Sequence, residues 1–527
     1  MRPMNMKNAL LKTRLLLAAM VAALSLTATA HAAAPGITGP TFNLTAQPAY
    51  LTQPDGQSIY SWGYGCNGVP SGFAPAAITA TFCNTMQVPG PTLIVTEGQT
   101  VTVNLTNNLP TAAGNTSILF PGFNVTASGG VAGLLTNEAA PGGTVTYSFT
   151  PTSPGTRAYY SGTQGDLQVE MGLYGAVIVL PSAVPATCNT GLAAQNLTAE
   201  AHWGEADFRL AHAAYDHAKT CYDREYLFQF SEMDPSIHSQ AQSQVAATTG
   251  CVAGAAGCSL DVRTEPYHPA YFMVNGRSMP DDMDPNYLPA YPHQPYNGNP
   301  HMHPGEQVLI RVVGQGRWQH PFHEHGNHVR ILGRDGNLLL SSTDATQLAG
   351  PLMFTTTTTP GMAFDGIFYW TGKGLNWDAY GHNPASGDTL AKLPCTPDAN
   401  GYNTGAPTAI NYFEWCQDHN KPVQAAPFGD VAGGGPVSLP DANILTNGAW
   451  YGGSPYLGPD ATVRATGPTG STPPSGTIAN SPTGEAGFAF MWHSHNEREI
   501  TTNNAFPGGM LMMMLVDSRE FVIDESN

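Results

Sequence analysis

Short runs of alternating apolar and polar residues, each closed by Gly, Pro or Asn, recur through this chain of 527 residues. "TLIVTEGQTVTVNLTNNLP" and "GGTVTYSFTPTSPG" are examples. Successive side chains on a strand point to opposite faces, so such runs predict half-buried strands joined by tight turns. With 58 Gly, 44 Pro and 11% charged residues, the composition argues against a mainly helical chain and for β-sandwiches.

A weak internal repeat predicts two sandwiches. "PTLIVTEGQTVTVNLTNNLP" (91–110) and "HMHPGEQVLIRVVGQGRWQ" (301–319) share a Gly turn, a β-rich strand and a polar loop. Domain 1 is expected at 41–182, ending in "GLYGAVIVLP", and domain 2 at 183–527. One helix is expected over 205–220, in "EADFRLAHAAYDHAKT". The stretch 384–485 is rich in Gly, Pro, Asn and Thr. It reads as a loop-rich insertion and a candidate partner-binding surface, because so long an irregular segment is unusual within a compact domain.

Residues 1–32 read as a secretory signal peptide: Arg2, Lys7, Lys12 and Arg14 precede an apolar run from Leu15 to Leu26, and Ala30-His31-Ala32 is a small-x-small cleavage site. No other stretch has the ~18 apolar residues of a spanning helix. The expected location is therefore the periplasm or the cell exterior. Removing the four basic residues takes the net charge from −18 to −22, which excludes nucleic acid and anionic membrane as expected partners. Eight cysteines in an exported chain suggest disulfides. Sequential pairing, Cys66-Cys83, Cys188-Cys221, Cys251-Cys258 and Cys395-Cys416, leaves none over. Sequence alone does not prove that connectivity, but the absence of CxxC spacing disfavours metal ligation.

Two histidine pairs stand out, His323/His325 in "HPFHEHG" and His493/His495 in "MWHSHNERE". On a strand, residues i and i+2 share a face, so each pair presents two imidazoles side by side. Two facing strands would supply four nitrogen ligands, and imidazole suits copper and zinc. Glu497 and Glu499 offer further oxygen ligands, against the competing reading of a solvated loop. Met510, Met512 and Met514 alternate on one strand face and read as core rather than thioether ligands. A third pair, His301/His303, is expected to lie roughly 23 Å away at the opposite pole, one strand of "QVLIRVV" distant.

These motifs, with "PGPTLIVTEGQTVTVNLTNNLP" and "GLYGAVIV", resemble those of the multicopper oxidases. The resemblance implies an all-β fold of two cupredoxin-like Greek-key β-sandwich domains with long loop insertions. It also implies a trinuclear copper cluster held by four HxH pairs, which reduces oxygen. A mononuclear type 1 copper would be held by two histidines, a cysteine and usually an axial methionine, with the cysteine between the last two cluster histidines.

This chain departs from that pattern. In "TSILFPG", Leu119 and Pro121 occupy the first pair of positions; in "GTRAYYSGT", Tyr160 and Gly162 occupy the second. The pairs His323/His325 and His493/His495 are intact. At the type 1 site His320 remains, Ser494 replaces the cysteine, Glu499 stands where the second histidine belongs, and the axial position falls on Asn504 or Met510. A serine hydroxyl is no thiolate, so the family's blue copper site and its electron wire cannot form in the usual way. The first expectation is a secreted, copper-binding, multicopper-oxidase-like protein that has lost the usual oxidase machinery, with His320 as a further candidate ligand. An active copper oxidoreductase acting on metal ions or phenols, through a reduced, non-blue copper centre or a cluster completed by another chain in a homo-oligomer, is the second. A metal-free cell-surface scaffold docking a partner through 384–485 is the third.

Overall fold

The computed structural model describes residues 33–77, 83–373, 394–409, 411–416, 453–457, 478–479, 487–517, 519 and 522–524. Residues 1–32, expected to be a signal peptide, and most of 384–485 lie outside the described residues.

Two pairs of sheets carry the chain. In the first half, one five-stranded sheet runs in the order Gly155–Tyr160, Tyr174–Leu180, Leu93–Thr96, Gly36–Thr38, Phe73–Ala74. The other runs Ser58–Cys66, Thr41–Thr52, Val101–Asn107, Thr144–Phe149, Thr126–Gly129. In Val101–Asn107 and Thr144–Phe149 burial alternates residue by residue, as the sequence pattern predicts. Their inward residues, including Val103, Leu105, Tyr147 and Phe149, pack with Trp62 and Tyr159 into one core.

The second half repeats the plan with two seven-stranded sheets. One is centred on Arg224–Met233, Gln307–Gly314 and Ala363–Tyr369; the other on His301–Met302, Leu511–Asp517, Gly487–Ser494 and His320–Glu324. The internal repeat corresponds to matching topology. Leu93–Thr96 lies parallel to Tyr174–Leu180, as His301–Met302 lies parallel to Leu511–Asp517. After the turn, Val101–Asn107 lies parallel to Thr41–Thr52, as Gln307–Gly314 does to Arg224–Met233. The fold is the expected all-β pair of cupredoxin-like sandwiches. Met510, Met512 and Met514 are buried in the second core with Phe228, Phe322 and Trp492.

The helix expected over 205–220 is absent. The helix lies earlier, Gly191–Trp203, and stops at Gly204, which adopts a left-handed φ of 90°. Beyond it, Asp207 Oδ1 accepts from the Arg209 backbone N–H at 3.1 Å and from its guanidinium at 2.9 Å. Such local side-chain bonds compete with a helical backbone. A second helix, Pro235–Ala247, starts on an Asp234 cap that accepts from the Ser236 N–H at 2.8 Å.

All eight cysteines form disulfides in the sequential pairs, Cys66-Cys83, Cys188-Cys221, Cys251-Cys258 and Cys395-Cys416. Among the described residues no helix is long and apolar enough to cross a membrane.

Candidate metal centre

Strand parity divides the motif "HPFHEH" into two faces. Phe322 is fully buried in the second core, and His320 and Glu324 share its side. His323 and His325 therefore point the other way. Register then sets the partner: His323 lies directly opposite His493 on the neighbouring antiparallel strand, and Phe322 opposite Ser494. Trp492 Nε1 donates to the His325 carbonyl at 2.9 Å and ties the two strands together.

His323, His325 and His493 are buried, and one nitrogen from each falls within a group spanning at most 4.8 Å. The Nε2 atoms of His325 and His493 are 3.3 Å apart. Two nitrogens each ~2.05 Å from one tetrahedral ion would be about 3.3 Å apart, so this pair fits a shared metal. His493 Nδ1 donates to the Ser494 carbonyl at 2.7 Å, which leaves its Nε2 lone pair directed at the group. Thr355 Oγ1 holds His323 Nδ1 at 2.6 Å. Burial, then the neighbouring imidazoles, push His323 down to about 3. Burial likewise lowers His493. Both rings are thus neutral at pH 7, the form that binds metal. His495 sits at the rim, its ring 4.7 Å from that of His323, with a half-exposed side chain beside the exposed Glu497 at 3.5 Å.

His320 does not join this group. Its Nε2 lies 2.9 Å from Glu232 and its Nδ1 2.9 Å from Glu499, and all three are buried. Burial opposes a charge on the ring, but the hydrogen bonds to the two carboxylates outweigh it and raise the imidazole to about 9. Ser494 Oγ donates to the same Glu499 oxygen, and Asn496 Nδ2 donates to the other at 2.8 Å. Glu232 accepts in turn from the backbone N–H groups of Arg317 at 2.7 Å and Trp318 at 2.9 Å. Where the resemblance places a type 1 copper, this chain holds a proton on His320 between two carboxylates. Glu499 is fully engaged there, so it is not placed as a ligand of the three-histidine group.

Of the first-sandwich positions where the resemblance expects histidines, Leu119, Tyr160 and Gly162 are packed against each other. Leu119 and Tyr160 exchange backbone hydrogen bonds of 2.7 and 3.3 Å. A Cβ added at Gly162 would lie 2.7 Å from Leu119 Cγ, so the leucine fills the space that a side chain there would need. Pro121 is half-buried in the following turn. Leu119, Tyr160 and Gly162 line a cavity of about 330 Å³ with Gln315 and Pro360, and none of the four cluster histidines lines it.

His301 and His303 bind elsewhere. His301 Nδ1 contacts Asp517 at 2.6 Å, and His303 Nε2 contacts Glu205 at 2.7 Å. Asp517 ends the strand whose first residue, Leu511, pairs with His493; six residues separate the two, roughly 20 Å. Two residues escaped the sequence reading. Glu232 lies 88 positions before His320, in a strand that is buried throughout. Glu324 is fully buried between His323 and His325 in sequence, and neither oxygen has a hydrogen-bond partner among the described residues. Burial raises its carboxyl well above the usual range.

Residues 75–184 match the family model for multicopper oxidases. The L-ascorbate oxidase of Brassica rapa subsp. pekinensis is 40% identical over 96 residues, 18% of this chain and 16% of the relative. Laccase abr2 of Aspergillus fumigatus is 36% identical over 98 residues, again 18% of this chain and 16% of the relative. The matches thus span less than a fifth of these curated relatives. Among solved structures, multicopper oxidase mgLAC aligns over 90% of this chain and 86% of its own at 16% identity, with a TM-score of 0.44. The blue copper oxidase of Nitrosomonas europaea aligns over 90% and 85% at 15% identity, with a TM-score of 0.42. The sequence similarity to multicopper oxidases is thus carried by residues 75–184.

Proposed function

We propose that this protein binds copper through His323, His325 and His493, with His495 as a rim ligand, and that it does so without a thiolate copper site. The observation that carries this reading is the 3.3 Å approach of two imidazole Nε2 atoms in a buried group of three histidines. At that separation two neutral rings can share one N–H; with both protons on Nδ1 the two Nε2 lone pairs face each other, and a cation between them satisfies both. Copper bound there supplies one-electron redox chemistry; the chain fixes ring orientation through Ser494 O and Thr355 and leaves one side open at His495. Direct determination of copper and zinc in untagged protein, before and after loading, tests the reading. Copper is expected in preference to zinc.

The same open rim supports a second reading, an oxidoreductase acting on metal ions or phenols. Oxygen uptake by the loaded protein with either substrate separates a carrier from an enzyme. Export to the periplasm or exterior is proposed from the four disulfides, which persist in oxidising compartments. The proposed domains are 41–182 and 183–527.

A further inference from the structure

We infer that the groove beside the histidine group binds small organic anions, molecules with one carboxylate and an apolar, aromatic body. The groove measures about 570 Å³, within the ~300–1,000 Å³ of small-ligand sites. Lys219, His328 and Arg330 line it, over apolar surface from Leu332, Ile367 and Tyr369.

Charge decides the class. The chain has 20 Lys and Arg against 38 Asp and Glu, yet this lining contains Lys219 and Arg330 and no carboxylate. Three acids stand near without lining it: Asp344, Asp223 and, beside Tyr369, Asp398. Asp344 is fully exposed, and its carboxyl is held down by hydrogen bonds to Thr346, with a smaller contribution from Lys219. Asp223 is buried behind Gln307, whose backbone N–H it accepts at 2.8 Å, and burial raises its carboxyl to about 6. A basic groove on an acidic protein concentrates anions locally.

The donors are positioned but not consumed. Among the described residues, Arg330 spends one guanidinium N–H on the Gly350 carbonyl at 2.9 Å. A guanidinium carries five such donors, and the remainder suit a planar carboxylate. Lys219 gives one of its three to Gln347. The apolar lining then favours an organic body over a bare inorganic anion.

The groove also adjoins the candidate metal centre. The Phe354 ring lies 5.0 Å from the His328 ring and 5.7 Å from the His323 ring. A bound anion would therefore be one aromatic ring away from the histidine group, although its binding requires no metal.

Calorimetric titration of the metal-free full chain with 4-hydroxycinnamate tests this, with the neutral amide and inorganic phosphate as controls. The carboxylate should bind saturably, and both controls about tenfold more weakly or worse. Arg330→Gln should weaken the carboxylate about tenfold while leaving copper content unchanged, which separates this site from the histidine reading. Exposed Lys219→Gln should weaken it several-fold and guards against a folding defect in the first variant. No saturable binding, equal binding of either control, or unchanged affinity in a folded Lys219→Gln variant would each overturn the proposal.

Discussion

Glu499 accepts from His320 Nδ1 at 2.9 Å and occupies the position where the family resemblance calls for a second copper-binding histidine. The contact favours a proton on the ring over a bound metal. A carboxylate that satisfies the ring, the Ser494 hydroxyl and the Asn496 amide together has no reason to release them to a cation.

Restoring the missing thiol alone should therefore not restore a blue centre. Ser494→Cys, loaded with copper, is expected to lack intense thiolate-to-copper absorption in the visible, because His320 remains held by Glu232 and Glu499. An intensely blue single variant would show that the two carboxylates yield to copper.

The buried imidazolium also predicts an alkaline limit to stability. The native value of about 9 lies above the ordinary 6.5, so the stabilisation is complete below pH 6.5 and is lost as pH rises through 9. The difference corresponds to about 3 kcal/mol at most. Urea midpoints from pH 6 to pH 10 should fall more steeply for wild type than for His320→Gln; parallel curves would remove the charge from His320.

The histidine group predicts the opposite sign in acid. His323 is lowered to about 3 in the native state, so below pH 6.5 the unfolded chain takes up a proton that the native chain refuses. Metal-free protein should lose stability between pH 6.5 and 3, and His323→Gln should lose less. Equal acid sensitivity would mean that the ring is solvated.

What was legible in the sequence follows from strand arithmetic. Period-two spacing places His323 with His325 and His493 with His495, and the repeat around 91–110 and 301–319 corresponds to matched parallel pairings in both halves. Glu232 was not legible, because nothing in "EYLFQFSEM" tells which distant ring its carboxylate meets. The expected helix over 205–220 does not form. Gly204 and the Asp207 side chain end that possibility locally, whereas the Asp234-Pro235 start of the true second helix was present in the sequence as a capping signal.

Cross-linking makes a quantitative prediction. Cys188-Cys221 closes a loop of 33 residues, which by loop-closure entropy stabilises the fold by about 3–4 kcal/mol. Replacing both with serine should lower stability by an amount of that order. A loss within ~0.5 kcal/mol would mean that the native state carries compensating strain.

The most direct test of the central claim is the copper stoichiometry of untagged protein after loading and exhaustive dialysis, for wild type and for His325→Ala/His493→Ala. The geometry predicts about one tightly held ion per chain in the wild type and loss of that ion in the double variant, with the fold retained by circular dichroism. Wild type that emerges free of copper, or a folded double variant that keeps its full complement, would contradict a metal centre at His323, His325 and His493.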